Sequence, residues 1–475
     1  MKKIIYTLLL ISFSLTNTKV FGQSDMISYG LIKTLPQANN LNPAILPDYK
    51  FSMGFPGLSG FHTNTAQNFT NMAILFSKDA EGNVDTDNIF NNLRRNNRIS
   101  TGNTVNIFHL GVRGTTSYTA FSINTKFSSR FSLPRELFAL PLYGNASGQL
   151  EDGLADLSRL STKTMGYTEV GLSHGREILA GKMTIGVRIK YLAGHAYADL
   201  NSFDASLRTF GNDDFRGDSI QVNSNSFDIR TAGIVGALVN EDNDQEDIIG
   251  SLLANRGFGL DLGATYDFTK KIKFFASLND VGFIKWGSNY TNRLNVPEFQ
   301  YTFKGADIVE LINGEDLSVI DEIDSAISDL DIQSIKNESF STALTAKLYA
   351  GASYELSERQ TASAILYSEF FKGAIIPAFT AMYNFQGGTF FNFGLSATVM
   401  NGRVNNFGTG MTLNLIPFQL VLATNDLGSI INPIKGRGVD FRFGINHTFG
   451  NVNKSKSRAK KNSENTIDTI DLGID

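Results

Sequence analysis

The residues best suited to chemistry are charged side chains that alternate with apolar ones. After Met183, Arg188 and Lys190 occupy one parity of a segment whose other parity is apolar. That apolar row consists of Ile185, Val187, Ile189 and Tyr191. Successive side chains of a strand point to opposite faces, so both cations are predicted to face away from the apolar side. The same argument directs further charges toward this polar interior: Glu169, Asp261, Lys347, Glu355, Asp440 and Arg442.

Charges of both signs on one enclosed face have two interpretations. The first, which we favour, is an internal network of salt bridges that holds a wall and an N-terminal segment together, because buried ions require partners. The second is a polar anchor for the head group of an anionic, amphipathic ligand. In that case the segment with Asn42, Pro43, Ala44 and Pro47 is expected to form a plug, or hatch, in the same interior.

Catalytic and metal-binding signatures do not emerge from the sequence. Cysteine is absent and His occurs five times, which excludes thiol nucleophiles, disulfide scaffolds and Cys-ligated zinc. His174 has no second His at ligand spacing, and Gly181-Lys182 lacks the spacing of a phosphate-binding loop. The glycines between 257 and 263 do not fit the dinucleotide-binding pattern either. We therefore predict no enzyme activity, no catalytic residue, no cofactor and no metal site.

The composition favours an all-β protein. The 475 residues include 44 Gly and 37 Phe, and Gly is costly inside helices whereas aromatic residues suit a pleated surface. The formal charge of −4 offers no basic surface, so nucleic acid is not an expected partner.

The N-terminus has the pattern of a secretory signal peptide. Lys2 and Lys3 precede an apolar stretch from Ile4 to Leu15, and the small residue Gly22 fits a cleavage site. We predict a signal peptide over 1–22. Its cleavage removes three lysines, the third being Lys19, and takes the net charge from −4 to −7.

Alternation of apolar residues with small or polar ones recurs along the rest of the chain. From Gly257 to Phe268, one parity reads Phe, Leu, Leu, Ala, Tyr, Phe and the other reads Gly, Gly, Asp, Gly, Thr, Asp. No apolar run beyond the signal peptide approaches the length of a membrane-spanning helix. Because only helices and closed barrels satisfy the backbone inside lipid, the pattern predicts a transmembrane β-barrel with its polar face inward.

Fourteen segments carry this alternation, and short links alternate strictly with long ones between them. The predicted strands lie near 50–58, 104–113, 117–127, 166–177, 182–197, 256–268, 272–280, 342–356, 360–370, 376–385, 389–399, 407–415, 418–424 and 438–449. Short periplasmic turns and long outer loops are typical of outer-membrane barrels, so the alternation also predicts an orientation. Boundary errors leave about 12 to 16 strands open, and a secreted β-sandwich or β-solenoid is the alternative fold.

The chain is accordingly divided into a signal peptide (1–22), a plug segment (23–49), a barrel with long loops (50–449) and a disordered periplasmic tail (450–475). Helical spacing predicts amphipathic helices in the outer loops at 315–335, from Leu150 to Leu160, and around Ile89 and Leu93. The acidic run 240–247 is interpreted as a solvated loop rather than a calcium site.

Short motifs occur in a fixed order along nearly the whole mature chain. They are Asn40-Leu41-Asn42-Pro43-Ala44, Pro47-Asp48-Tyr49-Lys50-Phe51, Phe55-Pro56-Gly57-Leu58-Ser59-Gly60, Asn97-Arg98-Ile99-Ser100, Leu133-Pro134-Arg135-Glu136-Leu137, and the runs 257–266 and 280–286. In this order they resemble an uncharacterised family of outer-membrane barrels from Bacteroidota. More distantly, Asn42-Pro43-Ala44 resembles a signature of FadL-type transporters of long-chain fatty acids, whose relatives include shuttle barrels of the type 9 secretion system. The resemblance implies a fourteen-stranded barrel with a plugged lumen, and says less about cargo.

These patterns predict an outer-membrane barrel that passes or binds a small hydrophobic or amphipathic molecule. The alternative is a structural or adaptor barrel that binds a protein partner through its outer loops or its C-terminal tail. Outer-membrane lipid surrounds the barrel in both cases. A transporter predicts a ligand-sized cavity inside the barrel, whereas an adaptor predicts a filled lumen and an apolar patch on the outer loops.

Overall fold

The computed structural model describes residues 34–143, 150–201, 203–211, 217–225, 227–239, 254–287, 291–303, 333–336, 338–388, 390–400 and 403–452. Four predictions lie wholly or mainly outside these ranges. They are the signal peptide (1–22), the acidic loop (240–247), the amphipathic helix based on residues 317–330, and the C-terminal tail beyond residue 452.

The described residues are mostly strands. The first ten are β1 (Tyr49–Gly54), β2 (Gly60–Gln67), β3 (Asn96–Arg113), β4 (Ser117–Pro134), β5 (Leu154–Asp156), β6 (Ser161–Ile178), β7 (Met183–Asn201), β8 (Ala205–Gly211), β9 (Gly217–Ser224) and β10 (Phe227–Gly233). The next are β11 (Asn255–Asp267), β12 (Ile272–Trp286), β13 (Thr291–Val296), β14 (Phe299–Phe303), β15 (Gln333–Lys336), β16 (Phe340–Ala343) and β17 (Ala346–Ser357). The last six are β18 (Gln360–Phe371), β19 (Ala374–Gly387), β20 (Phe391–Met400), β21 (Arg403–Leu415), β22 (Phe418–Thr424) and β23 (Gly438–Asn451).

Antiparallel pairing closes these strands into a barrel. β1 and β2 are two halves of one wall strand, because both pair with β3 on one side and with β23 on the other. β16 and β17 likewise form one wall strand beside β12. The wall then runs β1/β2, β3, β4, β6, β7, β11, β12, β16/β17, β18, β19, β20, β21, β22, β23 and back to β1/β2. This order confirms the predicted closed barrel of fourteen strands, and the sandwich and solenoid alternatives are wrong.

The two faces of the wall have opposite polarity. On β7, Ile185 and Ile189 point outward and are exposed, whereas Arg188 and Lys190 point inward and are buried. Phe258 and Leu262 continue the exposed apolar face on β11, opposite buried Asp261. A soluble protein of this size would bury its apolar residues, so an apolar exterior around a polar interior is the arrangement expected of a membrane barrel.

Several strands extend further than the sequence pattern predicts. β3, β4 and β6 each contain 18 residues and reach beyond the predicted segments at the long-loop end. These extensions lose the regular alternation because their outer side chains, such as Ser129 and Thr164, pair with each other rather than face an apolar medium. The alternation therefore records the central part of each strand and not its full length.

The long connections form additional structure at one end of the barrel. Within the described part of these connections, five short α helices occur, at Met72–Leu75, Thr86–Asn92, Glu136–Tyr143, Ile234–Val239 and Leu427–Ile431. A separate sheet has the order β14-β9-β8-β5. The helix Thr86–Asn92 lies where Ile89 predicted one, and Asp85 caps it by accepting a hydrogen bond from the Asn88 N–H (2.8 Å). None of the helices in the described ranges has the length and apolar character needed to cross a membrane.

The predicted helix from Leu150 to Leu160 is wrong. A short 3-10 turn, Glu151–Gly153, is followed by β5, which pairs with β8 through Ala155 and Leu207. Asp152 and Gly153 adopt φ of +53° and +63°, and such left-handed residues end a helix. The leucine spacing matched a helix by coincidence, because Leu150 and Ala155 instead belong to an apolar cluster with Phe90 among the long connections.

Candidate binding site inside the barrel

The N-terminal segment, residues 34–48, lies against the inward faces of several wall strands. It contains the 3-10 helix Pro36–Asn40, which begins with Pro at its first turn as 3-10 and α helices favour. Leu35, Leu41 and Ile45 pack with apolar side chains from the wall. Their partners in that cluster include Phe275, Tyr349, Ile365, Tyr367, Met382 and Val421.

Three glycines of the wall receive this segment. Gly175 on β6 pairs with Gly186 on β7, which in turn pairs with Gly263 on β11, so the three form one row across neighbouring strands. A Cβ at Gly175 would lie 2.5 Å from the carbonyl oxygen of Pro43, and one at Gly186 would overlap the same carbonyl group. A Cβ at Gly263 would overlap the side chain of Asn42. This glycine row therefore forms the seat of Asn42 and Pro43, as expected where a backbone approaches a strand closely.

Hydrogen bonds from the wall hold the segment in its seat. Ser277 Oγ and Asn279 Nδ2 both donate to the carbonyl oxygen of Leu41, at 2.8 and 2.6 Å. Asn42 Nδ2 donates to the carbonyl oxygen of Ala276 (3.1 Å). Asn42 Oδ1 also accepts from the N–H of Ala44 (2.9 Å), which fixes a local turn. The predicted residues Asn42, Pro43 and Ala44 are thus all buried where the segment meets the wall.

Arg113 binds the end of the segment that leads to β1. Its Nη1 donates to the carbonyl oxygen of Leu46 (2.6 Å) and more distantly to that of Pro47 (3.4 Å). Its Nη2 pairs with Glu177 Oε1 at 3.2 Å. Pro47 is buried at this point. A single guanidinium therefore fastens the segment to β3 and β6 near the short turns.

The segment separates two cavities of the barrel. The long-loop chamber has a volume of about 240 Å³ and is lined on the segment side by Leu35, Gln37, Asn40 and Leu41. The short-turn chamber has a volume of about 330 Å³ and is lined by the following residues of the same segment: Ala44, Ile45, Leu46 and Asp48. The lumen is thus neither open throughout nor filled throughout.

A network of seven charged groups borders the long-loop chamber. Lys190 Nζ lies 2.5 Å from both Asp261 Oδ1 and Asp280 Oδ1. Arg188 lies 3.0 Å from Glu169 Oε1 and 3.6 Å from Asp261 Oδ2. The remaining contacts are Lys126 to Glu169 (3.0 Å), Lys126 to Asp280 (3.4 Å), Lys190 to Glu169 (3.8 Å) and Lys347 to Asp280 (3.5 Å). Four cations and three carboxylates leave this charge network with one excess positive charge.

A second ion pair crosses the lumen toward the long loops. Arg130 on β4 pairs with Glu369 on β18. β4 is the third wall strand and β18 the ninth of fourteen, so the pair joins nearly opposite sides of the barrel. The guanidinium of Arg130 also lies 4.2 Å from the ring centroid of Phe371. This pair and Phe371 border the long-loop chamber on the side away from the N-terminal segment.

The sequence-predicted charges separate into groups. Arg188, Lys190, Glu169 and Asp261 meet directly, and Lys347 joins them through Asp280. Arg442 lies apart, on β23, where it pairs in register with His62 and lines the chamber from another wall. The two other predicted charges do not join the network: Asp440 accepts hydrogen bonds from His62 and Asn64, and Glu355 lies near Lys271 at the short-turn end.

Sequence reasoning missed Lys126, Arg130 and Asp280. Lys126 and Arg130 share the inward parity of Asn124 on β4, so the same alternation argument could have found them. Asp280 had no such signal, because β12 has a register shift opposite Asp261 and Asp280 adopts φ +59°. Before the bulge, the odd-numbered residues of β12 face inward. The extra residue of the bulge reverses this alternation, so beyond it the even-numbered residues, such as Trp286, are the buried ones.

Comparisons with known proteins give one family and a set of solved structures. The model of a family of unknown function (DUF5723) matches residues 43–425. The toluene transporter TbuX of Ralstonia pickettii matches with 10% identity and a TM-score of 0.40, over 87% of this chain and 94% of that chain. A FadL homologue from Pseudomonas aeruginosa matches with 10% identity and a TM-score of 0.42, over 90% of this chain and 99% of that chain. Among curated proteins, no sequence matches.

Proposed function

The chain belongs to that family of unknown function, DUF5723, and from its geometry we propose that it is an outer-membrane barrel through which a small amphipathic molecule passes. The exposed apolar residues of the wall support a membrane location. The two chambers support a route along the lumen. In this proposal residues 34–48 are a displaceable plug, and the ligand moves from one chamber to the other when the plug shifts.

The observation that carries the proposal is the position of the glycine row between the chambers. At Gly175, Gly186 and Gly263 the atoms nearest to a Cβ would all belong to residues 42–46, so the wall and the segment fit each other as a seat and an occupant. Much of the attachment consists of single hydrogen bonds, each contributing about 0.5–1.5 kcal/mol net. Such an attachment holds a segment in place and still permits its release.

A swelling assay on lipid vesicles tests the plug. Gly186→Ala combined with Gly263→Ala places two methyl groups in the seat, and we expect vesicles that contain this variant to admit arabinose faster than vesicles with the wild-type barrel. The matched control is Gly102→Ala, because Gly102 is a wall glycine that lines the long-loop chamber and has open space around its Cβ position. A folded double variant that is as tight as the wild type and the control would contradict a plug at this seat.

A native mass spectrum of the barrel in mild detergent tests passage of a ligand. We expect the wild-type barrel to retain a small molecule and the Gly186→Ala, Gly263→Ala variant to lose it, since the floor of the long-loop chamber is then displaced. No retained molecule, together with an unchanged swelling rate in the variant, would remove the support for transport.

The proposal also assigns parts of the chain. Residues 1–22 direct export and are cleaved, residues 23–49 contain the plug, residues 50–449 form the barrel and residues 450–475 form a periplasmic tail. The N-terminal sequence of the protein recovered from the outer membrane tests the first boundary. A mature chain that begins at Gln23 agrees with the proposal, whereas one that begins at Met1 contradicts it.

A second candidate function rests on an apolar surface of the long connections. Leu75, Phe76, Ile430, Ile431 and Ile434 are exposed there. Their two connections touch, since the N–H of Ala73 donates to the carbonyl oxygen of Ile434 (3.0 Å). Exposed apolar patches of this kind favour protein association, as an adaptor barrel of a secretion system requires.

Crosslinking in intact cells tests the adaptor function. A photoreactive residue at position 76 or 431 is expected to recover a specific protein, whereas the same residue at exposed position 82 on the same loop should not. Recovery of lipid alone from positions 76 and 431 would argue against this function.

A further inference from the structure

We infer that the long-loop chamber binds a small aryl carboxylate, an inference that rests on the proposed passage of a small molecule. Neither a neutral hydrocarbon nor a long acyl chain fits the chamber as well. The reasons are the charge of its lining, the position of the excess charge, its volume and its aromatic side chains.

The chamber lining is predominantly cationic. Six basic side chains line it, namely Lys126, Arg130, Lys163, Arg188, Lys347 and Arg442, against the three carboxylates Glu169, Asp280 and Glu369. A neutral ligand would leave this imbalance inside a polar enclosure, whereas one carboxylate would reduce it. Ligand charge opposite to the lining also raises the local concentration of ligand at the site.

The excess charge of the network lies on its chamber side. Four members of the network are essentially fully buried and pair with one another: Lys190, Arg188, Glu169 and Asp261. By contrast, the side chain of Lys126 is 22% exposed and that of Lys347 is 32% exposed. Lys347 lies 3.5 Å from Asp280, and Lys126 lies 3.0 Å from Glu169 and 3.4 Å from Asp280, so both ammonium groups keep a face toward the chamber. These two ammonium groups are therefore placed to receive an anionic oxygen from the chamber.

The cross-lumen pair offers a further contact to an anion. Arg130 uses Nη2 for Glu369, while its buried Nη1 and the buried Glu369 Oε2 have no hydrogen-bond partner among the described residues. A buried donor without a partner costs free energy, and a ligand oxygen at Nη1 removes that cost. Guanidinium groups match carboxylates in geometry, which favours a carboxylate over other anions of similar charge.

Volume and aromatic lining define the remainder of the ligand. An apolar cavity of about 150 Å³ is enough to bind benzene, and the long-loop chamber, at about 240 Å³, adds room for a carboxyl-bearing substituent. Tyr349 and Tyr367, whose ring centroids lie 5.0 Å apart, together with Tyr167 and Phe371, provide aromatic surface in the same lining. A long acyl chain would have to displace the N-terminal segment to enter.

Isothermal titration of the full-length barrel in mild detergent tests the inference, with phenylacetate as the probe and phenethyl alcohol as its neutral equivalent in shape. We expect phenylacetate to bind more tightly by about tenfold or more, the size of one hydrogen bond to a charged group. Lys126→Gln with Lys347→Gln is expected to abolish that preference by lowering the affinity for phenylacetate. Added salt should weaken phenylacetate binding selectively.

Two further variants keep the test interpretable. Lys347→Gln alone removes one ion pair of 3.5 Å and is expected to fold even where the double variant does not, with a smaller loss of preference. Lys273→Gln is the matched control, because Lys273 lines the short-turn chamber and pairs with Asp267 there. It should bind both probes as the wild type does.

The outcomes separate the inference from the proposed function. Equal binding of the two probes, or an unchanged preference in both lysine variants, would overturn the aryl carboxylate and leave passage of a small molecule standing. Absence of binding by either probe would overturn the inference alone if the glycine-row variant still admits arabinose. If that variant is also tight, both fail.

Discussion

At the scale of single residues, the charge network is built so that every carboxylate has more than one cationic partner. Asp280 contacts Lys126, Lys190 and Lys347, and Glu169 contacts Lys126 and Arg188 within 3.0 Å. Removing an ion from water is costly, and only close partners offset that cost. All members of the network lie on six consecutive wall strands, from β4 to β17. The network therefore connects the strands of one contiguous side of the barrel.

The first prediction at this scale concerns Lys190. Lys190→Met leaves Asp261 and Asp280 facing each other without their 2.5 Å partner, and we expect the free energy of unfolding to fall by about 3–5 kcal/mol, as when one member of a buried pair is removed. The measurement is the urea dependence of heat-modifiable mobility of the barrel on gels.

Lys273→Met is the control for that substitution. Lys273 and Asp267 form a pair at 3.1 Å, but both side chains are nearly half exposed, so its loss should cost about 1 kcal/mol or less. Adding Asp280→Asn to Lys190→Met should restore part of the lost stability. If the two lysine variants lose the same stability, the network does not stabilise the wall.

At the scale of elements, a strand or helix could be predicted from sequence where its signal comes from residues that are neighbours in the chain. Strand positions such as 256–268 and 438–449 were predictable because alternation is a property of neighbours in sequence. The strand β5 was not, because its conformation depends on pairing with β8, which is about fifty residues away along the chain. Helical spacing of leucines cannot report such a pairing, and tertiary context decided the outcome.

The paired strands β10 and β13 lie outside the fourteen-stranded wall, and an ion pair between them predicts that their stability depends on pH. Asp228 on β10 accepts hydrogen bonds from Arg293 on β13, at 3.1 and 2.9 Å. These bonds hold the pKa of Asp228 below its ordinary value. A depressed carboxyl pKa contributes stability that is present above the ordinary pKa and is lost as the pH falls through the folded value.

Asp228→Asn is therefore expected to loosen the pairing of β10 with β13 at neutral pH and to have little effect in acid. Hydrogen exchange of the amides of β10 measures this, because strands at the periphery of a fold open locally at a lower free energy than global unfolding requires. The effect should be small because Asp228 is partly exposed. Faster exchange of β10 amides that is equal at neutral and acidic pH would contradict the assigned ion pair.

At the scale of the whole molecule, the barrel and its occupant were predictable to different degrees. The closed wall follows from fourteen alternating segments, and the position of Asn42 just before the first strand places the segment near the lumen by chain connectivity alone. The complete seat could not be derived, because Gly263 is distant in sequence from Gly175 and Gly186 and the three become one row only through the registers of three strands. Register is set by the whole sheet, so this fit appears only in the folded barrel.

The last prediction tests whether lipid surrounds the wall. Ile189 is 51% exposed and lies six residues from the start of β7, about half of the 9–11 residues with which a strand crosses a bilayer. Ile189→Lys should therefore lower the free energy of unfolding in vesicles by about 2–4 kcal/mol. Val84 is 57% exposed but lies on a long connection, so Val84→Lys should change stability by about 0.5 kcal/mol or less. Since water alone would accept a lysine equally well at either position, a difference between the two variants requires an apolar medium at Ile189, and equal stabilities would place the exterior of the barrel in water.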